Sequence, residues 1–177
     1  MAGTLTVQNL QGPSTGANAN KVLIPSGQTL YAPGHVLQVQ TGIIDRLDMS
    51  TTTFTDIGSL TITPSSTSSK IYITVTNHVY LASASSSGVW RGSLTQIYRD
   101  ASAIVNEAGQ FGSPSIYMNT NTDRMMMYST IDYLDSPSTT SQISYAVKVA
   151  SRSGDNIDFN NASYGRQGRI TLMEIAQ

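Results

Sequence analysis

The chain has 177 residues, with 10 basic and 11 acidic side chains, a formal net charge of −1 and no cysteine. This composition excludes disulfides, thiolate zinc sites and cysteine nucleophiles. Charged residues make up only 12% of the sequence, against about 25% in an ordinary soluble domain, and neither sign gathers in a run. The sequence therefore offers no electrostatic surface for nucleic acid or for an anionic membrane. The length suits one domain and leaves room for an arm.

The first residues, MAGTLTVQNLQGPSTG, have neither a basic start nor an apolar run of signal-peptide length. No later segment reaches the length of a bilayer-spanning helix. We therefore expect no encoded secretion signal, no membrane insertion and no nucleic-acid partner.

Residues 1–34 differ in pattern from the rest of the chain. A short alternating run, TLTVQNLQ, is followed by the loop-forming residues GPSTGANAN and by KVLIPSGQTLYAPGH, where prolines and glycines flank a few apolar side chains. This segment has too little apolar material to build a core by itself. We predict that residues 1–34 form an arm that docks on another chain or on the rest of the protein.

Residues 35–177 are dominated by alternating apolar and polar positions, the period of a strand with one buried face. Gly, Pro, Ser, Asn and Asp separate these segments, and no segment keeps helical spacing over the length of a normal helix. About eight short strands at this spacing predict an all-β fold, an antiparallel sandwich or barrel. The alternating segments are HVLQVQT, SLTITP, KIYITVTNHVYLA, GVWRGSLTQIYRD, SAIVNEA, DRMMMYSTIDYLD, QISYAVKVAS and RITLMEIAQ.

Two of these strands are joined by serines, in SLTITPSSTSSKIYITVT at residues 59–76. Pro64 cannot donate to a sheet ladder, and the hydroxyls that follow can hydrogen-bond nearby backbone, so the first strand ends there. The pattern is typical of a β-hairpin or of a corner between two sheets, and both interpretations remain open.

Asp132 and Asp135 are the best candidate pair for glycoside hydrolysis, which needs two carboxyl groups at a set separation. Residues three apart in a strand face opposite sides, however, so we interpret Asp135 as a strand end before Pro137. Asp45 and Asp48 have the same spacing and the same interpretation, with Arg46 as a surface partner.

The two histidines, His35 and His78, have no flanking residues that indicate a metal site or a Ser-His-Asp arrangement. No G-x-S-x-G motif occurs, and GRQGR lacks the strand-to-helix setting of a phosphate loop. We therefore predict structural roles for both histidines, no catalytic residue, no metal or cofactor site, and no enzymatic activity.

Trp90 is the single tryptophan, and the sequence is compatible with a core or interface position or with stacking on a sugar. Met126 should face away from its neighbours Met125 and Met127 on a strand and pack softly, in the core or at a subunit contact. The NAS triplet at Asn161 matches a glycosylation acceptor, but without a signal peptide we give it no weight.

The succession of several segments resembles small structural proteins and fibre-tip domains of tailed bacteriophages, particularly those infecting cyanobacteria and marine bacteria. These segments are GTLTVQNLQ, VLIPSGQTLYAPGHVLQVQ, FTDIGSLTITPSSTSSKIYITVT, IYRDASAI and ITLMEIAQ, and they cover most of the chain in order. The resemblance implies a virion surface protein assembled in the host cytoplasm, in which residues 1–34 are an attachment arm or short trimeric stem. It also implies that residues 35–177 are a β-sandwich knob, often a jelly roll similar to the tumour-necrosis-factor type.

The resemblance further implies a homotrimer whose partners are the major capsid protein or other virion proteins. Nothing in the sequence resembles an extended fibre shaft, which favours a compact capsid decoration, cement or head-fibre protein. A short tail-fibre tip, or a module that recognises a host-surface glycan through Trp90, is the alternative. On this hypothesis the arm makes its contacts through apolar side chains, namely Val22, Leu23, Ile24, Leu30 and Tyr31.

Overall fold

The chain divides into two compact units, Met1–Ala32 and Pro33–Gln177. In the first unit Val22, Leu23 and Ile24 expose their side chains, whereas the positions of Leu30 and Tyr31 lie outside the described residues. The role of residues 1–34 as an arm stays a prediction. The computed structural model describes residues 8, 11–17, 19, 22–26, 28, 32–81, 89–106, 115–118, 124–161 and 166–177.

The second unit is built from strands, and the described residues contain no helix, hence none that could span a bilayer. The strands are β1 (Val36–Ile44), β2 (Leu47–Met49), β3 (Thr55–Ile62), β4 (Lys70–Leu81), β5 (Val89–Arg99), β6 (Ser102–Asn106), β7 (Ser115–Met118), β8 (Met125–Asp135), β9 (Ile143–Ser151), β10 (Ile157–Phe159) and β11 (Gly168–Ile175).

The eight predicted strands are confirmed as β1, β3, β4, β5, β6, β8, β9 and β11. Three further strands, β2, β7 and β10, were not predicted. They are three or four residues long, which is too short for a period of two to stand out from the loop residues around them.

All strand pairs are antiparallel and form two sheets. Sheet A has the order β1-β11-β4-β8; in addition β10 pairs with the end of β4, and β2 pairs with β10. Sheet B has the order β3-β9-β5-β6, and β7 also pairs with β5. Among the eight longer strands the first pairs with the last, the second with the next to last, and so on inward. This nested pairing is a jelly roll, so the predicted sandwich is confirmed.

The core lies between the two sheets and follows the alternation seen in the sequence. On β4, Ile71, Ile73 and Val75 are fully buried, while Tyr72 and Thr74 face outward. Burying such an aliphatic side chain contributes about 2 kcal/mol. Met125 and Met127 pack against the core from β8, whereas Met126 points outward, as predicted.

The serine-rich segment is a corner, not a hairpin, because β3 belongs to sheet B and β4 to sheet A. Its first serine, Ser65, donates both its backbone amide and its hydroxyl to the Glu174 carboxylate, each at 2.7 Å. The corner is therefore tied to the last strand of the chain, β11.

Candidate functional site

An exposed pair of aromatic side chains lies on sheet B, where β5 and β7 run side by side. Trp90 and Tyr117 are register partners on these two strands. Their ring centroids are 5.6 Å apart at an interplanar angle of 64°, an edge-to-face arrangement that aromatic pairs favour. Each side chain is 47% exposed. Of the alternatives for Trp90, the core position is excluded, because its strand turns this side chain away from the other sheet; an interface and a sugar contact both stay open.

A loop after β9 brings a cation to the same surface. The Arg152 guanidinium carbon lies 5.8 Å from the centroid of the Trp90 ring, within the range of a cation–π contact. The Arg152 amide donates to the Gly92 carbonyl at 2.9 Å, which fixes the loop on β5. Gly154 has a φ of +77°, a left-handed conformation that favours glycine and lets the chain turn tightly here.

A second arginine lies beneath the aromatic pair. Arg91 follows Trp90 on β5 and points inward, with a fully buried side chain. Its Nε lies 3.6 Å from the Asp155 carboxylate, which also accepts a hydrogen bond from the Ser153 hydroxyl at 2.6 Å. Asp155 thus offsets the charge of a buried guanidinium and holds the loop that carries Arg152.

Together these residues form an open surface of two aromatic rings beside one cation, with a serine hydroxyl in the adjoining loop. Such a surface can stack on the apolar face of a ring-shaped ligand and donate hydrogen bonds at its rim. Among the described residues of this surface, the carboxylate of Asp155 faces the Arg91 guanidinium.

The candidate glycosidase pair is separated by the sheet itself. Asp132 is exposed on the outer face of sheet A, whereas Asp135 is buried and faces inward. Asp135 accepts hydrogen bonds from Arg99 Nη1, at 2.9 and 3.0 Å, and from the Tyr145 hydroxyl at 2.6 Å. Burial and this hydrogen bond raise the pKa of Tyr145. The two carboxylates therefore point to opposite sides, as predicted, and Asp135 joins β8 of sheet A to β5 and β9 of sheet B.

Asp45 and Asp48 are both exposed. Arg46, expected to be available to them as a surface partner, binds Asp158 on β10 through two hydrogen bonds of 3.0 Å. Asn161, the residue of the NAS triplet, is buried and donates to the same Asp158 carboxylate. A buried amide that already binds a carboxylate is a poor acceptor for a glycan.

The two histidines have different surroundings. His35 is exposed, while His78 on β4 is fully buried beneath Tyr128, with ring centroids 5.5 Å apart. Among the residues that the structure describes, neither ring nitrogen of His78 has a hydrogen-bond partner. Burial and the nearby Arg166 lower the pKa of His78. Within the part of the chain that the structure describes, no three His, Cys, Asp or Glu side chains gather as metal ligands.

Sequence reasoning missed Glu174, a buried carboxylate that connects three segments of the chain. Its side chain is fully buried on β11 and accepts hydrogen bonds from Gln38 Nε2 and from Ser65, each at 2.7 Å. Burial alone would raise the pKa of Glu174, but these hydrogen bonds outweigh it and hold the pKa below its usual value. The signal in the sequence was a glutamate at an inward position of an alternating strand.

Several solved structures align with this chain. The infectious bursal disease virus VP2 subviral particle aligns at a TM-score of 0.48 and 11% identity, over 92% of this chain and 37% of that chain. The T13 particle of the same virus aligns at a TM-score of 0.44 and 10% identity, over 92% and 35% of the two chains. The C-terminal domain of EclA, a sugar-binding protein, aligns at a TM-score of 0.28 and 12% identity, over 88% and 86%.

This chain thus spans little more than a third of the viral capsid chains that it matches. No protein-family model and no curated protein sequence matches the chain.

Proposed function

We propose that this protein is a non-enzymatic surface component of a bacteriophage particle, a homotrimer that acts as a capsid decoration, cement or head-fibre protein. Residues 1–34 anchor it to the major capsid protein or to another virion protein, and the jelly-roll knob projects from the particle. In this proposal the protein is assembled in the host cytoplasm and requires no cofactor or metal.

The observation that carries this proposal is the compact N-terminal unit with its exposed apolar side chains. Val22, Leu23 and Ile24 are consecutive, and each is between 44% and 57% exposed. Three consecutive exposed aliphatic side chains cost solubility unless a partner covers them. A capsid lattice or two further copies of the chain would provide that cover.

The proposal that the protein is not an enzyme is supported by the contacts of its buried carboxylates. Among the described residues, Asp135, Asp158 and Glu174 are buried, and each is bound by donors from distant parts of the chain. Groups held in this way stabilise the fold and are not available as acid and base on one ligand. We expect no release of reducing ends from host envelope polysaccharide, and release that Asp132→Asn abolishes would contradict this part of the proposal.

Incorporation into particles tests the anchoring role directly. The full chain, a chain without residues 1–34 and the triple variant Val22→Asp, Leu23→Asp, Ile24→Asp should be supplied to particles that lack the protein. We expect the full chain to bind to the particles, and we expect the truncated chain and the triple variant not to bind. Circular dichroism should show that both altered proteins keep the β-sheet signal. Ser14→Asp, an exposed polar position of the same unit, is the matched control. Incorporation of the truncated chain would overturn the anchoring role.

A second candidate function is recognition of a host-surface glycan, favoured by the exposed pair of Trp90 and Tyr117 beside Arg152. Glycan-array binding that Trp90→Ala and Tyr117→Ala remove would support it. Tyr133→Ala, an exposed aromatic residue on the other sheet, should leave the signal unchanged. Silence on the array, together with host-cell binding that Trp90→Ala does not alter, would remove this candidate.

A further inference from the structure

The outer face of sheet A carries an apolar row that crosses the whole sheet. Val39 on β1, Met173 on β11, Tyr72 on β4 and Leu134 on β8 are successive register partners, so they lie at one level. At the two ends of the row Val39 is 52% and Leu134 47% exposed. A solvent-facing sheet normally places polar side chains outward, so this row indicates a surface that another molecule covers.

The two ends of this face carry opposite charges. Asp132 is exposed on β8, one outward position from Leu134; these two residues form the β8-edge patch. At the opposite edge Val39 and Ile43 of β1 and Arg169 of β11 form the β1-edge patch, in which Arg169 and Ile43 are register partners. Neither Asp132 nor Arg169 makes an ion pair with another described residue. The patches are therefore complementary, one apolar and acidic, the other apolar and basic.

β8 is eleven residues long, and among the described strands it pairs only with β4. A long unpaired edge with apolar side chains invites non-specific association, and proteins usually cover or shorten such edges. The neighbouring copy in an assembly can provide that cover.

We propose that the β8-edge patch of one copy packs on the β1-edge patch of the next copy, and that three such contacts close the homotrimer. This inference rests on the trimer of the proposed function and names its interface. Because the two patches differ, the contact is heterologous, and heterologous contacts that close give rings.

The row geometry fits a ring whose axis runs along the strands. In such a ring, equivalent rows of neighbouring copies lie at the same height along the axis. Leu134 of one copy therefore lies against Val39 of the next. Asp132 lies at the same level as Thr171 of its own copy, and Arg169 occupies the next outward position on β11. Across the contact, Asp132 and Arg169 are therefore offset by one outward position along the strands. A two-fold contact between two β8 edges would instead pack Leu134 against its own copy and leave Val39 and Ile43 of the β1-edge patch exposed.

The test uses light scattering on the full chain and two single variants, Leu134→Asp and Val39→Asp. Each variant places a carboxylate in the middle of one patch while leaving the core untouched, since both side chains point outward. We expect each to lose the trimer at concentrations where the unchanged chain is fully trimeric, a weakening of about tenfold or more. Ser59→Asp, which adds the same charge to an exposed position of sheet B, should remain trimeric.

Mixing the two variants distinguishes a heterologous contact from a two-fold one. The Leu134→Asp chain keeps an intact β1-edge patch, and the Val39→Asp chain keeps an intact β8-edge patch. An equimolar mixture should therefore form one contact and stop at an open dimer of twice 19.0 kDa, with no trimer.

The outcomes separate this inference from the proposed function. A trimer that survives both substitutions overturns the interface and leaves the trimeric virion protein in place. A dimer of the unchanged chain that either substitution dissolves would mean a two-fold contact and would overturn the ring. An unchanged chain that is a monomer overturns both the interface and the trimeric part of the proposed function.

Discussion

Glu174 and Ser65 are 109 residues apart in the chain, yet the Glu174 carboxylate accepts hydrogen bonds from both the amide and the hydroxyl of Ser65 at 2.7 Å. The contact joins the corner between β3 and β4 to the last strand, β11. Its other oxygen binds Gln38 on β1, so one buried carboxylate connects three segments. A buried charge is tolerated here because several donors converge on it.

Glu174→Gln is expected to lower the free energy of unfolding by about 1 to 2 kcal/mol, since charge-assisted hydrogen bonds become neutral ones. The new amide also places a donor opposite Gln38 Nε2, which is itself a donor. Urea denaturation at neutral pH measures the loss. Thr67→Ala, exposed in the same corner, is the control, and an equal loss in both variants would contradict the role assigned to Glu174.

The same carboxylate gives the protein an acid-sensitive component of stability. The folded pKa of Glu174 lies below its ordinary value of 4.5, so its stabilisation is present above 4.5 and is lost as the pH falls through the folded pKa. In Glu174→Gln this component is absent, and the variant should lose less stability than the unchanged chain between neutral pH and about pH 3. Parallel acid-denaturation curves for the two proteins would refute this.

His78 should also make stability fall on acidification, in a higher pH range than Glu174 does. Burial and Arg166 lower its folded pKa, and Asp158 only partly opposes them. The unfolded chain therefore takes up a proton near the ordinary pKa of 6.5 before the folded chain does, and stability falls as the pH drops through that value. Denaturation at about pH 7.5 and about pH 5.5 should show this loss. His78→Phe should reduce it, and His35→Gln, at the exposed histidine, should not.

Asp135 joins the two sheets, and its removal should cost more than removal of its tyrosine partner. Tyr145→Phe deletes one hydrogen bond of 2.6 Å and should cost about 1 to 2 kcal/mol. Asp135→Ala leaves both Arg99 and the Tyr145 hydroxyl without this acceptor and should cost about 3 kcal/mol or more. In a double-mutant cycle the two losses should not add. Tyr133→Phe, exposed on β8, is the control.

Gly168 provides space for an amide that bridges sheet A. A Cβ atom at this position would lie 2.5 Å from the side-chain oxygen and nitrogen of Asn160. That amide accepts from the His78 backbone at 2.9 Å and donates to Asn77 at 3.1 Å. Gly168→Ala should therefore destabilise the protein by about 2 kcal/mol. Gly42→Ala, where the nearest atom is the flexible end of Leu60 at 3.3 Å, should cost less; the reverse order would contradict the packing.

The sequence predicted the eight long strands because alternation over five or more residues is a local signal, clear in Ile71, Ile73 and Val75. It could not predict β2, β7 and β10, which are strands only because of their neighbours in the sheets. β10 lies beside β4, β2 lies beside β10, and β7 lies beside β5. The partners of Arg46 and Glu174 lie 112 and 109 residues away, and no local pattern encodes such pairings.

The surface position of Trp90 was likewise beyond local reasoning. An aromatic residue in an alternating strand can face either side, and only the register of β5 with β7 and β9 sets its direction. The separation of Asp132 from Asp135 could be predicted, because three residues along a strand always reverse the face.

The measurement that tests the central claim most directly is the solution mass of the purified full chain by light scattering. A trimeric surface protein predicts a mass of three times 19.0 kDa, independent of dilution over the range in which the contacts hold. A stable monomer of 19.0 kDa at every concentration would contradict the trimer.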